Sequence, residues 1–416
     1  MSMPELVRPP QPAGRGFIAA FTVAQIGAYI SFVPLFQILL PLKAEQIDPA
    51  HKAVLLSQVT LYGAIIAGAA NLLAGAISDR TASRLGRRRP WMLVGAVGTL
   101  AAYAMIFRAG NMGELLAGIL CFQLVFNFLF AALLAVMADR VPDQKKGLVS
   151  GLMALGLPLG TFGGTALIGG LLADEGARFA ALGLVTALTI IPFTLRLDDP
   201  PLRVAPPFRL TAFVRTLWVD PRVHPDFALA WAGRFLVLIA FSLVQSYMLY
   251  YLQDSLHYAR LFPGLRAESG LAVLAAIAAV GNVAFAILGG VLSDRIGRRK
   301  LFVIVGALLI AGAIAMLALL PSWPAVMAAY VLYGCGSGCY YAVDMALITQ
   351  VLPSARDVGK DLGIVNLSNT LPQAVAPMLG VVFLGAARAD FRSLFLLAAG
   401  LCLVGGLMVL PIRKVR

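Results

Sequence analysis

Charge is what this chain has least of. Aspartate, glutamate, lysine and arginine make up 13% of its 416 residues, about half the share of an ordinary soluble domain. Histidine is nearly missing. His51 and His257 fall in loops between apolar stretches and His224 in a polar linker, which argues against a buried histidine proton relay. The four cysteines, Cys121, Cys335, Cys339 and Cys402, all lie inside apolar stretches. Cys335 and Cys339 alternate with Gly334, Gly336 and Gly338, a run of small residues that predicts close helix packing and not a disulfide or metal site. No nucleophile–base pair, metal-ligand cluster or phosphate loop is present, so neither an enzyme nor a cofactor is expected. The residues before Phe17 have no apolar core of their own, and a cleaved leader is not expected.

What is abundant is hydrophobic residue, 60% of the chain. It is gathered into twelve apolar stretches of roughly 17 to 26 residues, and about 20 cross a bilayer core as helix. The spans read 17–42, 53–77, 91–107, 112–138, 148–171 and 179–195, then 227–252, 270–292, 301–320, 325–351, 362–386 and 393–410. An all-α polytopic membrane protein follows, with six-helix bundles at 1–195 and 227–416 joined by a linker at 196–226 that holds six prolines. Arg209 to Trp218 within the linker can form a short amphipathic surface helix or a plain restrained connection.

The net charge of +13 does not point to nucleic acid. Lysine and arginine fall in alternate loops with a bias of roughly three to one. That is the positive-inside pattern, and it places both chain ends in the cytoplasm. The expected setting is an inner membrane, with the lipid bilayer as the main surroundings and the protein as a monomer.

The basic residues concentrate in one hairpin, Gly75 to Pro90, reading GAISDRTASRLGRRRP, between spans 2 and 3. A shorter copy, GVLSDRIGRRK from Gly290 to Lys300, lies between spans 8 and 9, about half a chain away. Pro142 and Pro158 have counterparts at nearly the same offset in Pro353 and Pro372. An internal duplication of a membrane bundle is a recurring plan of secondary transporters, with the solute held near the midplane. Physically, Asp79 at a helix end is placed to accept N–H groups from the next helix start, or to pair with a nearby arginine.

The pattern carried by Gly75, Asp79, Arg80, Gly86, Arg87 and Arg88, repeated by Gly290, Asp294, Arg295, Gly297, Arg298 and Arg299, resembles the signature loop of the major facilitator superfamily. The longer first copy, from Ser78 to Pro90, is similar to that of the glycoside–pentoside–hexuronide carriers and the sucrose–proton symporters. The resemblance implies twelve helices in two pseudo-symmetric bundles, a sugar-like solute, proton symport and alternating access. It further implies a gate in which the hairpin charges Asp79, Arg80, Arg87, Arg88, Asp294, Arg295 and Arg298 take part, with Asp361 as a partner, and a cavity lined by spans 1, 4, 7 and 10.

Polar residues at membrane depth mark where a solute can be held. Span 1 offers Gln25 and Tyr29, span 4 Gln123 and Asn127, span 7 Arg234 and Gln245, span 10 Tyr333, Tyr340 and Asp344. Span 11 carries Asn366, Asn369 and Gln373 along one stripe. Any lone amide among these can equally be interhelical glue. Amides beside tyrosines suit a hydroxylated small-molecule solute. Arg234 and Asp344 are the only charges well inside the spans, each about 12 or 13 Å deep by helical rise, and are expected to pair. Asp344 is then the acid placed to carry a coupling proton. Two alternatives stay open at this point, an exporter of drugs or metabolites and a non-transporting sensor or scaffold on the same fold.

Overall fold

The computed structural model describes residues 14–201, 219–352, 358–384 and 390–413. Asn366 and Asp361 lie in a helix but their side chains fall outside the described set, as does the linker segment 202–218. The described residues form helices α1 (Arg15–Ile47), α2 (Lys52–Ser78), α3 (Arg89–Arg108), α4 (Met112–Arg140), α5 (Leu148–Leu171) and α6 (Glu175–Arg196). They continue with α7 (Pro225–Ser255), α8 (Ala267–Ile296), α9 (Arg299–Leu319), α10 (Trp323–Gln350), α11 (Val358–Leu384) and α12 (Phe391–Leu407). Among the described residues eleven helices are long and apolar enough to cross a membrane, and α12 is apolar but shorter.

Helix ends follow local chemistry. Asn111, Asp174 and Asp390 each accept an N–H from the third residue on, at 3.0, 2.7 and 2.9 Å, which satisfies donors left free at a helix start. Gly297 closes α8 in the left-handed region at φ 70°, where a side chain would be strained, and returns its N–H to Ser293. Proline explains the internal irregularities. Pro41 has no N–H to give to the preceding turn, and α1 widens to a π-helical turn over Leu35–Leu39 just before it. Pro158 likewise follows a break in α5 at Leu155. The single span expected from hydropathy is therefore two helical pieces.

Contacts divide the chain into two compact units, Met1–Phe36 with Tyr62–Arg209 and Gln37–Leu61 with Leu210–Arg416. The second unit thus takes the α1–α2 turn from the first half of the sequence. In the first unit, the Tyr103 hydroxyl donates to the Ser31 carbonyl at 2.6 Å and Ser31 shares a hydrogen bond with Thr186 at 2.7 Å, tying α3, α1 and α6. Rings of Phe32, Phe122 and Phe126 stack between α1 and α4, the last two at 5.1 Å.

In the second unit, α10 is held between α8 and α9 by its glycines. Gly334 and Gly338, one turn apart, face the α8 backbone at Ala278 and Asn282, while Gly336 faces Gly306 of α9. The small-residue run does what close packing predicts, and Cys335 and Cys339 are free thiols. A Cβ at Gly338 would press into the Asn282 carbonyl and stand 2.9 Å from the Ala286 nitrogen, backbone atoms that cannot swing aside. Gly338→Ala is expected to destabilise the purified protein by about 1–3 kcal/mol. Gly290→Ala, where a Cβ meets nothing within 4 Å, should leave the melting temperature unchanged. Equal melting curves for the two would refute this account of the α8–α10 contact.

Candidate functional site

The polar centre of the second unit grows from a close crossing. Gly233 of α7 and Gly405 of α12 have no side chains, and a Cβ on either would stand 2.6 Å from the other's carbonyl oxygen. The next residue, Arg234, is therefore held by a fixed backbone, and its side chain runs inward. The guanidinium pairs through Nη1 with Asp344 of α10 and donates through Nη2 to Asn369 Oδ1 of α11 at 2.8 Å. The pairing expected from the two lone charges is present. Arg234 and Asp344 are 5% and 3% exposed, so neither charge is screened by water. Arg234 Nε has no hydrogen-bond partner among the described residues.

Aromatic rings frame this pair. Trp231, one turn before Arg234, donates its indole N–H to the Ile364 carbonyl at 2.8 Å, fixing α7 to α11, and stacks on Phe235 at 5.3 Å. Phe241 stacks on Tyr333 and meets Tyr341 edge-on. The Tyr333 hydroxyl is buried with no hydrogen-bond partner among the described residues. Tyr340 is buried beside Tyr341. Gln373 turns back to its own helix, donating to the Asn369 carbonyl at 3.3 Å, and Gln245 is half-buried on α7.

In the first unit the predicted amides form a short chain. Asn127 donates to the Gln123 carbonyl at 2.7 Å and to its side-chain oxygen at 3.1 Å, and Asn71 of α2 reaches Asn127 at 3.5 Å. Asn71 was not singled out from the sequence, although it stands alone in an apolar stretch. Gln25 is buried, and its amide nitrogen has no hydrogen-bond partner among the described residues. Tyr29 meets Phe130 edge-on at 5.4 Å and lies against Gly156 and Gly160 of α5.

The first hairpin is a charge network centred on Arg88. Its Nε donates to Asp139 at 3.0 Å, its Nη1 to the Ser78 hydroxyl at 2.6 Å, and its Nη2 pairs with Asp79. Arg87 also pairs with Asp139, at 2.6 Å. Asp79 takes the arginine and not the helix start. The start of α3 is capped instead by Asp199, which follows α6 and accepts the N–H groups of Arg88 and Arg89 at 2.5 and 2.9 Å. Gly86, at φ 102°, leaves room for that carboxylate. Burial pushes the Asp199 carboxyl above the ordinary carboxylate range, against the pull of those amides and the Arg87 charge. Arg140 pairs with the neighbouring Asp198. In the second hairpin Asp294 meets Arg299 at 3.4 Å and is mostly exposed, and Arg295 and Arg298 are exposed. Arg299 also donates to the Ala346 carbonyl at 3.0 Å.

A further cluster at the α1–α2 turn was missed. Lys52 donates to Glu45 at 2.8 Å and Asp254 at 2.9 Å, and lies 4.7 Å from the Tyr250 ring centre. Gln253 donates to Glu45 at 3.1 Å, and Ser57 shares a 2.5 Å hydrogen bond with Tyr247. The sequence signal is only a lysine and acids at helix ends, whose partners are some 200 positions away.

Residues 16–278 and 261–416 match the sequence model of the Major Facilitator Superfamily. A Schizosaccharomyces pombe protein described as an uncharacterized MFS-type transporter, C18.02, is 30% identical over 115 residues, 28% of this chain and 25% of that protein. The chain thus matches about a quarter of that relative's length. Among solved structures, the peptide transporter POT in complex with sulfate superposes with a TM-score of 0.76 at 15% identity, covering 97% of this chain and 96% of that one. A mutant of the nucleoside transporter NupG gives 0.72 at 12% identity, covering 95% and 100%. Likeness at such identities speaks to the fold.

Proposed function

The chain belongs to the Major Facilitator Superfamily, and from that premise we propose that it is a proton-coupled secondary transporter of a small polar, hydroxylated solute. It works by alternating access in a cytoplasmic membrane, with both chain ends on the cytoplasmic side and the loop arginines retained there. The observation that carries this reading is the buried pair of Arg234 and Asp344, with Asn369 as its third member. Ionised groups inside a membrane protein are costly and tend to mark ion pathways. Asp344 is the acid that takes the proton, and Arg234 is the group that holds Asp344 ionised until a proton or solute displaces it. The amides of Asn127, Gln123 and Gln25 in the first unit, and separately the rings around Arg234 in the second, are neutral groups of the kind a hydroxylated solute uses.

The test is accumulation in proteoliposomes under an imposed pH gradient, across a broad panel of sugars, glycosides, sugar acids and common drugs. Accumulation that collapses on adding a protonophore supports the reading. Movement that only equilibrates, or no movement of any solute, refutes it. The amide contribution has its own measure. Loss of one buried hydrogen bond costs about 1 kcal/mol, so Asn127→Ala should weaken binding of a transported solute about fivefold. Unchanged binding would assign Asn127 to helix packing alone.

A further inference from the structure

Asp344 and Arg234 cancel one another only while the carboxyl is ionised. A proton on Asp344 leaves a buried guanidinium with no counter-charge, because Asn369 is neutral. An uncompensated buried cation is strongly disfavoured. No other resident anion among the described residues can replace Asp344. Along α7, Arg234 is the only charged residue between Asp226 and Asp254; α8 has none between Glu268 and Asp294, α9 none beyond Lys300, α11 none from Leu362 to Leu384, and α12 none beyond Arg392. The titratable groups nearby, Tyr340, Tyr341 and Cys339 on α10 and Cys402 on α12, are neutral in their ordinary protonated forms. Arg299, which reaches the Ala346 carbonyl from α9, adds positive charge on that side. A neutral sugar cannot supply what is lacking.

A carboxylate can. The guanidinium fork matches it in geometry and charge, and Arg234 Nε lacks a hydrogen-bond partner among the described residues. The half-buried rings of Trp231, Phe235, Phe241 and Tyr341 give flat apolar surface for a carbon skeleton. We infer that the solute is a small organic monocarboxylate, which takes Arg234 in place of Asp344 when that carboxyl is protonated. The inference rests on the reading of Asp344 and Arg234 as the proton-coupling pair. In the empty protein the pair is neutral as aspartate and guanidinium. In the loaded protein it is neutral as protonated Asp344 with the solute's carboxylate on Arg234. One proton and one anion cross together, no covalent bond of the solute changes, and no net charge moves.

The experiment uses the full-length protein, in detergent for binding and in liposomes for transport. The probes are gluconate, glucuronate, lactate and benzoate, each beside a neutral counterpart: sorbitol, glucose, glycerol and benzyl alcohol. One or more monocarboxylates should bind, with affinity falling about tenfold per pH unit once Asp344 is ionised, and the neutral counterparts should not. Asp344→Asn should bind the same anions independently of pH, at least tenfold more tightly than the wild type at pH 8. Arg234→Gln should lose anion binding. Uptake should follow a pH gradient and ignore a potassium–valinomycin potential, an arm that needs no variant to fold. Binding by neutral members alone, by no monocarboxylate, or uptake driven by the potential overturns the inference. Accumulation of a neutral solute on a pH gradient would sink the carboxylate and keep the proton-coupled carrier. Anion binding that is insensitive to pH, with no gradient-driven accumulation, would sink both.

Discussion

Asp344→Asn is expected to abolish gradient-driven accumulation while leaving exchange of solute across the membrane intact. The amide keeps the shape of the carboxylate and one acceptor oxygen for Arg234, so α7 and α10 can still meet. What it removes is the site for the proton. In a one-to-one proton symporter each pH unit of gradient sustains about a tenfold concentration ratio, and the variant's ratio should fall to one. Exchange requires only that the loaded form reorient, and the loaded form already has a neutral residue 344. A static bridge predicts something else. Breaking a buried pair by removing one charge costs about 3–5 kcal/mol under either reading, so the melting temperature does not discriminate, and a merely structural role would appear as transport lost in both modes. A variant that folds, exchanges, and does not accumulate establishes the coupling role. Normal accumulation in a stable variant would end it.

How much of this was legible beforehand differs from residue to residue, and the reason is sequence distance. Arg234 and Asp344 announced themselves because each is the lone charge in its stretch at a similar depth, and two opposite charges in an apolar medium have little choice of partner. Asn369 followed from the polar stripe on α11, since helical spacing fixes which face a residue shares. The glycines of α10 predict close packing, and the spacing of Gly334 and Gly338 selects the α8 face. The hairpin was harder. Five arginines and several acids lie within reach of one another, and spacing cannot say that Asp199 rather than Asp79 caps α3. The acidic pair Asp198 and Asp199 after α6, in an otherwise basic setting, was the available clue. The Lys52 cluster was not legible at all, because the α1–α2 turn packs with the second unit and nothing local in the sequence encodes that.

The network around Arg88 gives a second large effect, and burial decides which member matters. The Asp79 side chain is 53% exposed, whereas that of Arg88 is 6% exposed. An ion pair open to water contributes about 0.2–1 kcal/mol, so Asp79→Asn should lower stability by no more than that. Arg88→Ala removes the donors of Asp79, Asp139 and Ser78 together. It leaves the Ser78 hydroxyl, 1% exposed, facing a void. Arg87 still neutralises Asp139, which limits the loss to about 2–3 kcal/mol, below the value for a fully orphaned buried charge. Arg88→Lys keeps the charge but cannot serve three partners in three directions with one ammonium, and should fall between the two. The order expected in melting temperature of the purified protein is therefore wild type, Asp79→Asn, Arg88→Lys, Arg88→Ala, with transport declining in the same order. If Asp79→Asn costs as much as Arg88→Ala, the hairpin is held by the exposed carboxylate and not by the buried guanidinium.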